Sequence, residues 1–281
     1  MIYKELENIA LQEIQKGLRK DYIKNILKEY LQVYALFYIY TTPTYNKNLI
    51  FTGGTCLRHF YELDRLSEDI DFDFIKSVDI DMFADGFSKF FKQRYQCKDM
   101  SISIKQKGQQ LLLKFPVLQK INLATPSESN LLYIKLDLSP IPSKNYEVIT
   151  STQSQFGFNY IAKHYSLPDL MAGKIHAVLR RSFVKGKDNS ATIKGRDYFD
   201  LLWFIKKGIK PNLKRLSNML NESVSLEEVD NRLTKKVKNL KNQFHAFRSD
   251  LEPLIMNPDF VKPYLDNYLD EYFRNKELCF K

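Results

Sequence analysis

Three aspartates, Asp69, Asp71 and Asp73, alternate with large apolar side chains at the end of the stretch FTGGTCLRHFYELDRLSEDIDFDF, Phe51 to Phe74. On a strand, residues two apart share a face and stand ~6.5–7 Å apart along it. Like charges gathered that way repel unless water or a cation holds them. Two such carboxylates can converge on divalent ions ~3.5–4 Å apart, the arrangement used for in-line phosphoryl or nucleotidyl displacement. Mg²⁺ needs only one or two carboxylates plus substrate phosphates. Asp69 and Asp71 therefore suffice as the core of a metal site, with Mn²⁺ as an alternative occupant. Asp137, in the apolar run LLYIKLDLS, is the third candidate, because an unpartnered carboxylate in such a strand is costly. Lys135, two positions away on the same face, is the competing partner for Asp137. Asp73 reads as a flanking, solvated acid.

Upstream, Gly53-Gly54-Thr55 closes the short apolar run LIF. Paired glycines between a strand and a helix let backbone amides approach an anion, the helix N-terminus adds favourable partial charge, and Thr55 could donate its hydroxyl to a phosphate oxygen. By itself such a turn more often only redirects the chain. No GxxxxGK[ST] occurs, so a P-loop is not the source of phosphate binding. Arg65 and Ser67, just before the acids, are placed to touch phosphate, although Arg65 could equally hold Asp69 or Asp71 when no metal is bound.

The elements that must position these residues are legible in outline. Residues 1–40 read as two helices, with Ile23, Ile26, Leu27, Tyr30, Leu31 and Tyr34 at three-four spacing. TTPTYNKN reads as a loop, LIFTGG as a strand ending in a turn, TCLRHFYEL as a helix and IDFDF as a strand. DMFADGFSKFFKQRY reads as an amphipathic helix. SISIKQK, QLLLKFPVL, NLLYIKLDLSP, YEVITST and FNYIAKHY have strand length. From Ser166 onward the pattern is helical, opening on a capping-box-like Ser166 and Asp169 with Pro168 in the first turn. The expected division is 1–165, the N-terminal helices and mixed core, and 166–281, a helical C-terminal domain.

Bulk properties narrow the partners. With 281 residues, 44% of them hydrophobic, the chain can bury a real core and is not globally disordered. No apolar run reaches the ~20 residues a membrane span needs, and the start carries no signal-peptide pattern, so a cytoplasmic location without membrane contact is expected. Cys56, Cys97 and Cys279 lack CxxC spacing, and His59, His164, His176 and His245 lack metal-ligand spacing. Net charge is +10, with basic runs between Asp230 and Asp250 (RLTKKVKNLKNQFHAFR) and from Arg180 to Arg196, which favours a polyanionic partner. Solvated surfaces would give the same runs.

GGT followed by DIDF resembles the nucleotidyltransferase superfamily signature, GG[ST] and then acid–apolar–acid–apolar. The longer block GGTCLRHFYELDRLSEDIDF is similar to the GGTxL…RxSxDxDF block of the AbiEii/AbiGii (MenT-like) toxin family. Two further segments extend the likeness. LPDLMAGKIHAVLRR carries Lys174, and RDYFDLLWF carries Arg196, Asp197 and Asp200, so the resemblance covers about residues 48–210. It implies an α+β fold: a polymerase-beta-like nucleotidyltransferase core, a mixed sheet with flanking helices, joined to an α-helical C-terminal region. It also implies that Lys174 contacts a triphosphate and that an RDxxD aspartate supports the site. The residues alone allow plainer accounts. Lys174 could be a surface lysine on an amphipathic helix, and Arg196 with Asp200 an i,i+4 pair worth only ~0.3–0.5 kcal/mol. Asp197 faces elsewhere and could orient Lys174 or Arg65.

The resulting expectation is a Mg²⁺-dependent nucleotidyltransferase using an NTP and releasing pyrophosphate. Asp69, Asp71, Asp137, Lys174 and Asp197 form the catalytic set, with Asp69, Asp71 and Asp137 holding metal. Gly53, Gly54, Thr55, Arg65, Ser67 and Lys174 bind the nucleotide. The resemblance implies tRNA as acceptor and a toxin's role in a toxin–antitoxin or phage-defence pair, with a cognate antitoxin as partner. Two alternatives are a non-catalytic nucleotide- or RNA-binding protein on the same scaffold and a nucleotidyltransferase acting on a small molecule such as an antibiotic.

Overall fold

The computed structural model describes residues 2–180, 183–185 and 190–281. Of the basic segment Arg180–Arg196, Arg181, Ser182 and Gly186 to Asn189 lie outside the described residues. The chain divides into two compact units, one of residues 1–141 and 150–164, the other of 142–149 and 165–281. The expected boundary at 165/166 had kept the excursion 142–149 with the first unit.

The first unit opens with α1 (Ile2–Gln15) and α2 (Lys20–Thr41). The expected loop at TTPTYNKN instead forms a short helix, α3 (Pro43–Asn48): extended Thr42 breaks α2, and Pro43 is tolerated in the first turn of the new helix. Then follow β1 (Leu49–Thr52), α4 (Gly53–Tyr61), β2 (Asp69–Phe74), α5 (Ile80–Lys89), β3 (Ser101–Lys105), β4 (Gln110–Pro116), β5 (Leu131–Pro140), β6 (Val148–Gln155) and β7 (Phe158–Tyr165).

Seven strands form one mixed sheet in the order β3-β4-β5-β2-β1-β7-β6. β2 lies between β1, antiparallel to it, and β5, parallel to it. β6 and β7 meet through Phe156-Gly157, whose φ values of 51° and 78° suit the tight primed turn of a hairpin. Alternation along β2 sends Ile70 and Phe72 to the core face, both essentially inaccessible, each burial worth ~1.5–3 kcal/mol. The Tyr40 ring of α2 lies 6.3 Å from that of Phe72, so α2 covers this face. The aspartates of β2 therefore face the other way.

The second unit is helical, as expected: α6 (Leu167–Arg180), the short antiparallel pair β8 (Phe183–Lys185) and β9 (Ser190–Thr192), α7 (Gly195–Lys206), α8 (Leu213–Leu220), α9 (Leu226–Lys238), α10 (Phe244–Leu251), α11 (Val261–Asn275) and α12 (Glu277–Phe280). The anticipated capping box at α6 does not close. The Ser166 amide donates to the Glu147 carbonyl, and the Asp169 carboxylate accepts from the Glu147 amide at 2.7 Å. A reciprocal box forms instead at α9, between Ser225 and Glu228.

Candidate active site

The glycine turn and the acidic strand are built against each other. β1 pairs with β2 so that Thr52 lies opposite Asp71, and the chain turns immediately afterwards. Gly53 has φ +77°, and a Cβ there would stand 2.9 Å from Asp71 Cγ. A Cβ on Gly54 would stand 2.6 Å from Arg65 Nη2 and 3.1 Å from Ser67 Oγ. A side chain at Gly53 would meet both backbone strain and Asp71, whereas one at Gly54 would have to displace the end of the Arg65 side chain. α4 starts at Gly53 itself, and its N-cap Thr52 supplies no side-chain cap to the first-turn amides. These amides and the helix dipole favour an anion.

The role of the Thr55 hydroxyl changes. Thr55 is fully buried and its hydroxyl donates to the Asp69 carbonyl, so it ties the turn to β2 rather than facing a phosphate. Arg65 and Ser67 are buried behind Gly54, and Arg65 Nη1 donates to the Leu66 carbonyl at 2.8 Å. Both pack against Gly54.

The parallel register of β2 and β5 sets Asp69 opposite Lys135 and Asp71 opposite Asp137. Lys135 Nζ lies 3.0 Å from Asp69 Oδ2 and 3.0 Å from Asp137 Oδ2. Gln110 Nε2 donates to Asp137 Oδ1 at 2.7 Å, which fixes the other oxygen. Asp137 is thus both the register partner of Asp71 and an ion-pair partner of Lys135. Burial pushes the Lys135 ammonium down, but Asp69 and Asp137 outweigh it and hold it above its ordinary value. Among the described residues, no three His, Cys, Asp or Glu side chains form a ready-made metal cage. Hard carboxylate oxygens nevertheless suit Mg²⁺, which completes its shell with phosphate oxygens and water. The Lys135 ammonium stands between two of these carboxylates.

Asp73 is not a solvated flank. It is 7% exposed, although it lies between Ile50 of β1 and Ser139 of β5 just as the half-buried Asp71 lies between Thr52 and Asp137. Cys56 is fully buried, and burial, reinforced by the Asp71 charge, pushes its thiol well up, so it stays protonated.

In the second unit, Lys174 of α6 reaches Asp197 Oδ1 and Asp200 Oδ2 of α7, each at 2.8 Å. Asp200 is fully buried and Asp197 nearly so. Asp197 holds Lys174, one of the two roles open to it from sequence. Arg196 turns to Asp250, its amide donating to Oδ2 at 3.0 Å and its Nε lying 3.8 Å from Oδ1. The structure therefore gathers Gly53, Gly54, Thr55, Arg65, Ser67, Asp69, Asp71 and Asp137 within the first unit, and Lys174 with Asp197 within the second.

A model of the family described as "Nucleotidyl transferase AbiEii toxin, Type IV TA system" matches residues 34–271. The chain belongs to the AbiEii nucleotidyltransferase toxin family. Its fold is accordingly that of a nucleotidyltransferase, and the match runs well beyond residues 48–210, into α2 on one side and α11 on the other. Among solved structures the chain is similar to a nucleotidyltransferase candidate from H. pylori (18% identity, 90% of this chain and 96% of that one covered, TM-score 0.49). It is also similar to JHP933 from Helicobacter pylori (15%, 90% and 93%, 0.47). A third is an antigenic nucleotidyltransferase-like protein from Paracoccidioides brasiliensis (13%, 89% and 93%, 0.36). No curated protein sequence matches it.

In this AbiEii-family chain, α2 contributes to the site in a way the sequence did not announce. Gln32, fully buried, donates from Nε2 to the carbonyls of Ser67 at 2.9 Å and Glu68 at 3.0 Å, fixing the approach to β2. Lys28 pairs with Glu68 at 2.8 Å, and Glu29 with Arg58 of α4 at 2.7 Å. A single glutamine amid the apolar positions of an amphipathic helix is the only trace this leaves in sequence.

Proposed function

We propose that the chain transfers a nucleoside monophosphate from an NTP to an acceptor hydroxyl with release of pyrophosphate, and that the acceptor is RNA, with tRNA first. The observation that carries this reading is the packing of Gly53 directly against Asp71, which sets first-turn amides of α4 beside the acidic pair. Phosphate-binding and cation-binding groups are then neighbours, as nucleotidyl transfer requires.

Asp69 and Asp71, with Asp137, would hold Mg²⁺, or Mn²⁺ in its place, and the ion would supply Lewis-acid charge stabilisation at the phosphate oxygens. The amides of Gly53, Gly54 and Thr55 receive phosphate oxygens. The acceptor oxygen bonds to the α-phosphorus, the α–β bridging bond breaks, and the hydroxyl proton passes to a carboxylate, for which Asp137 is placed beside Asp71. The resemblance assigns the triphosphate contact to Lys174, which Asp197 holds within the second unit; an ammonium there would stabilise charge on phosphate oxygens.

Charge supports an anionic acceptor. Beyond the net +10, a cleft of about 460 Å³ in the second unit is lined by Arg180, Arg232, Lys235 and Lys236, with the acid Glu222 beside them. A cationic antibiotic would meet mostly like charge there. The Type IV toxin–antitoxin description of the family supports the role of toxin with a cognate antitoxin. Incubation with each labelled NTP, Mg²⁺ and total tRNA should place label in RNA with the wild type and not with Asp69→Ala/Asp71→Ala. If no nucleotide moves to RNA, protein or a small molecule, the enzyme reading falls.

A further inference from the structure

The acidic face of β2 and β5 poses a problem that exists before any substrate arrives. Register sets Asp71 directly opposite Asp137, with Asp69 one step along the same face. Carboxylates facing one another across strands are destabilising. Lys135 stands among them, 3.0 Å from both Asp69 and Asp137. It reaches Asp137 on the oxygen that Gln110 leaves available, since Gln110 takes Oδ1 and Lys135 takes Oδ2. Its side chain is about a quarter exposed, at 27%, so a route to solvent exists.

We propose that Lys135 is a displaceable counter-cation built into the acidic site: it holds Asp69 and Asp137 together in the metal-free protein, leaves them when a divalent cation binds, and so lowers the affinity of the site for metal. This rests on the reading of Asp69 and Asp71 as metal ligands. The ammonium occupies the space a cation would need to touch both carboxylates, and two cations there repel. Lys135 sets one positive charge against these carboxylates, so without it the face is one charge more negative and attracts a divalent ion more strongly. Metal therefore binds well only when something else offsets the broken ion pairs, and the phosphates of the nucleotide supply that. Lys135 released from the carboxylates is a positioning residue, and it couples metal binding to nucleotide binding.

The test uses Mn²⁺ as the probe, its free concentration read by electron paramagnetic resonance and its binding by calorimetry, on the full chain without nucleotide. Lys135→Met should bind Mn²⁺ about tenfold more tightly or better, melt at lower temperature without metal, and gain more in melting temperature from saturating Mn²⁺ than the wild type. Lys135→Arg, which keeps the cation, should return the affinity towards wild type. Equal or weaker Mn²⁺ binding by a folded Lys135→Met overturns the proposal. Amine acylation of the wild type read by mass spectrometry needs no variant: Mn²⁺ should raise labelling of Lys135 several-fold relative to other lysines, and unchanged labelling also overturns it. If the wild type and Asp69→Asn/Asp71→Asn bind Mn²⁺ indistinguishably, the metal-site reading itself has failed, a result separate from failure at Lys135 alone.

Discussion

Gly53 shows how much one missing side chain can carry. Its φ of +77° alone would strain any other residue, and its Cβ position is filled by Asp71. Gly17 has nearly the same φ, +76°, with nothing within 4 Å of a Cβ, and so provides an internal control. Gly17→Ala should cost about 1–3 kcal/mol of backbone strain. Gly53→Ala should lower the melting temperature further and reduce nucleotide transfer, because only there must Asp71 move. Asp69→Asn or Asp71→Asn should reduce transfer by ~10²–10³-fold with the far-ultraviolet circular dichroism unchanged, the scale for loss of a group that organises transition-state charge. His59 of α4 gives a pH test. Burial pushes its imidazole below the ordinary range, against the pull of Glu29. On acidification the unfolded chain takes up the proton first, so stability present above pH ~6.5 is lost as pH falls from there through the lower folded value. A melting series from about pH 7.5 to 5.5 should show that decline, and His59→Gln should flatten it.

At the scale of elements, α6 and α7 are joined by a buried triad, with one ammonium between two carboxylates. Removing the cation takes the shared ammonium away from two buried acids, so Lys174→Ala should destabilise by ~3–5 kcal/mol. Chemical denaturation measures it, and adding Asp197→Asn and Asp200→Asn should recover part of the loss without restoring transfer. Helix α9 carries Arg232, Lys235 and Lys236 into the cleft of the second unit. If RNA phosphates dock there, Lys235→Ala/Lys236→Ala should weaken RNA binding and flatten its log–log salt slope by about 0.7–0.9 for each phosphate no longer neutralised. An unchanged slope would remove this cleft from the RNA path. Helices and strands were legible because their periodicity repeats over many residues. The loop expected at 41–48 failed because Pro43 serves equally as a breaker and as a first-turn residue.

For the whole molecule, ligand linkage gives the broadest check. An NTP with Mg²⁺ at a hundredfold over its dissociation constant should stabilise the protein by ~2.7 kcal/mol, a shift absent from Asp69→Asn/Asp71→Asn. The mixed seven-stranded sheet with helical flanks and the helical second unit follow the expected fold class. Family membership extends across most of the chain, including helices that carried no recognisable motif. Within the first unit, α2 supports the site by single polar interactions such as that of Gln32, which need no fixed local pattern and so leave none to read.

Sequence alone determined the acids and the turn. Alternation puts Asp69 and Asp71 on one face of any strand, and two glycines before a helix open the backbone to an anion. It could not say which neighbours those groups would meet, because cross-strand partners are fixed by sheet order and register. The parallel pairing of β2 with β5 decided that Asp137 stands opposite Asp71 and that Lys135 bridges Asp69 to Asp137. Tertiary packing decided that Asp73, identical in local sequence terms to the other two, is buried. Folding over Asp69 decided that the Thr55 hydroxyl bonds the chain rather than a ligand. Residue type and spacing set what the groups can do; long-range pairing, stabilised by the core on the opposite face, set which of them do it together.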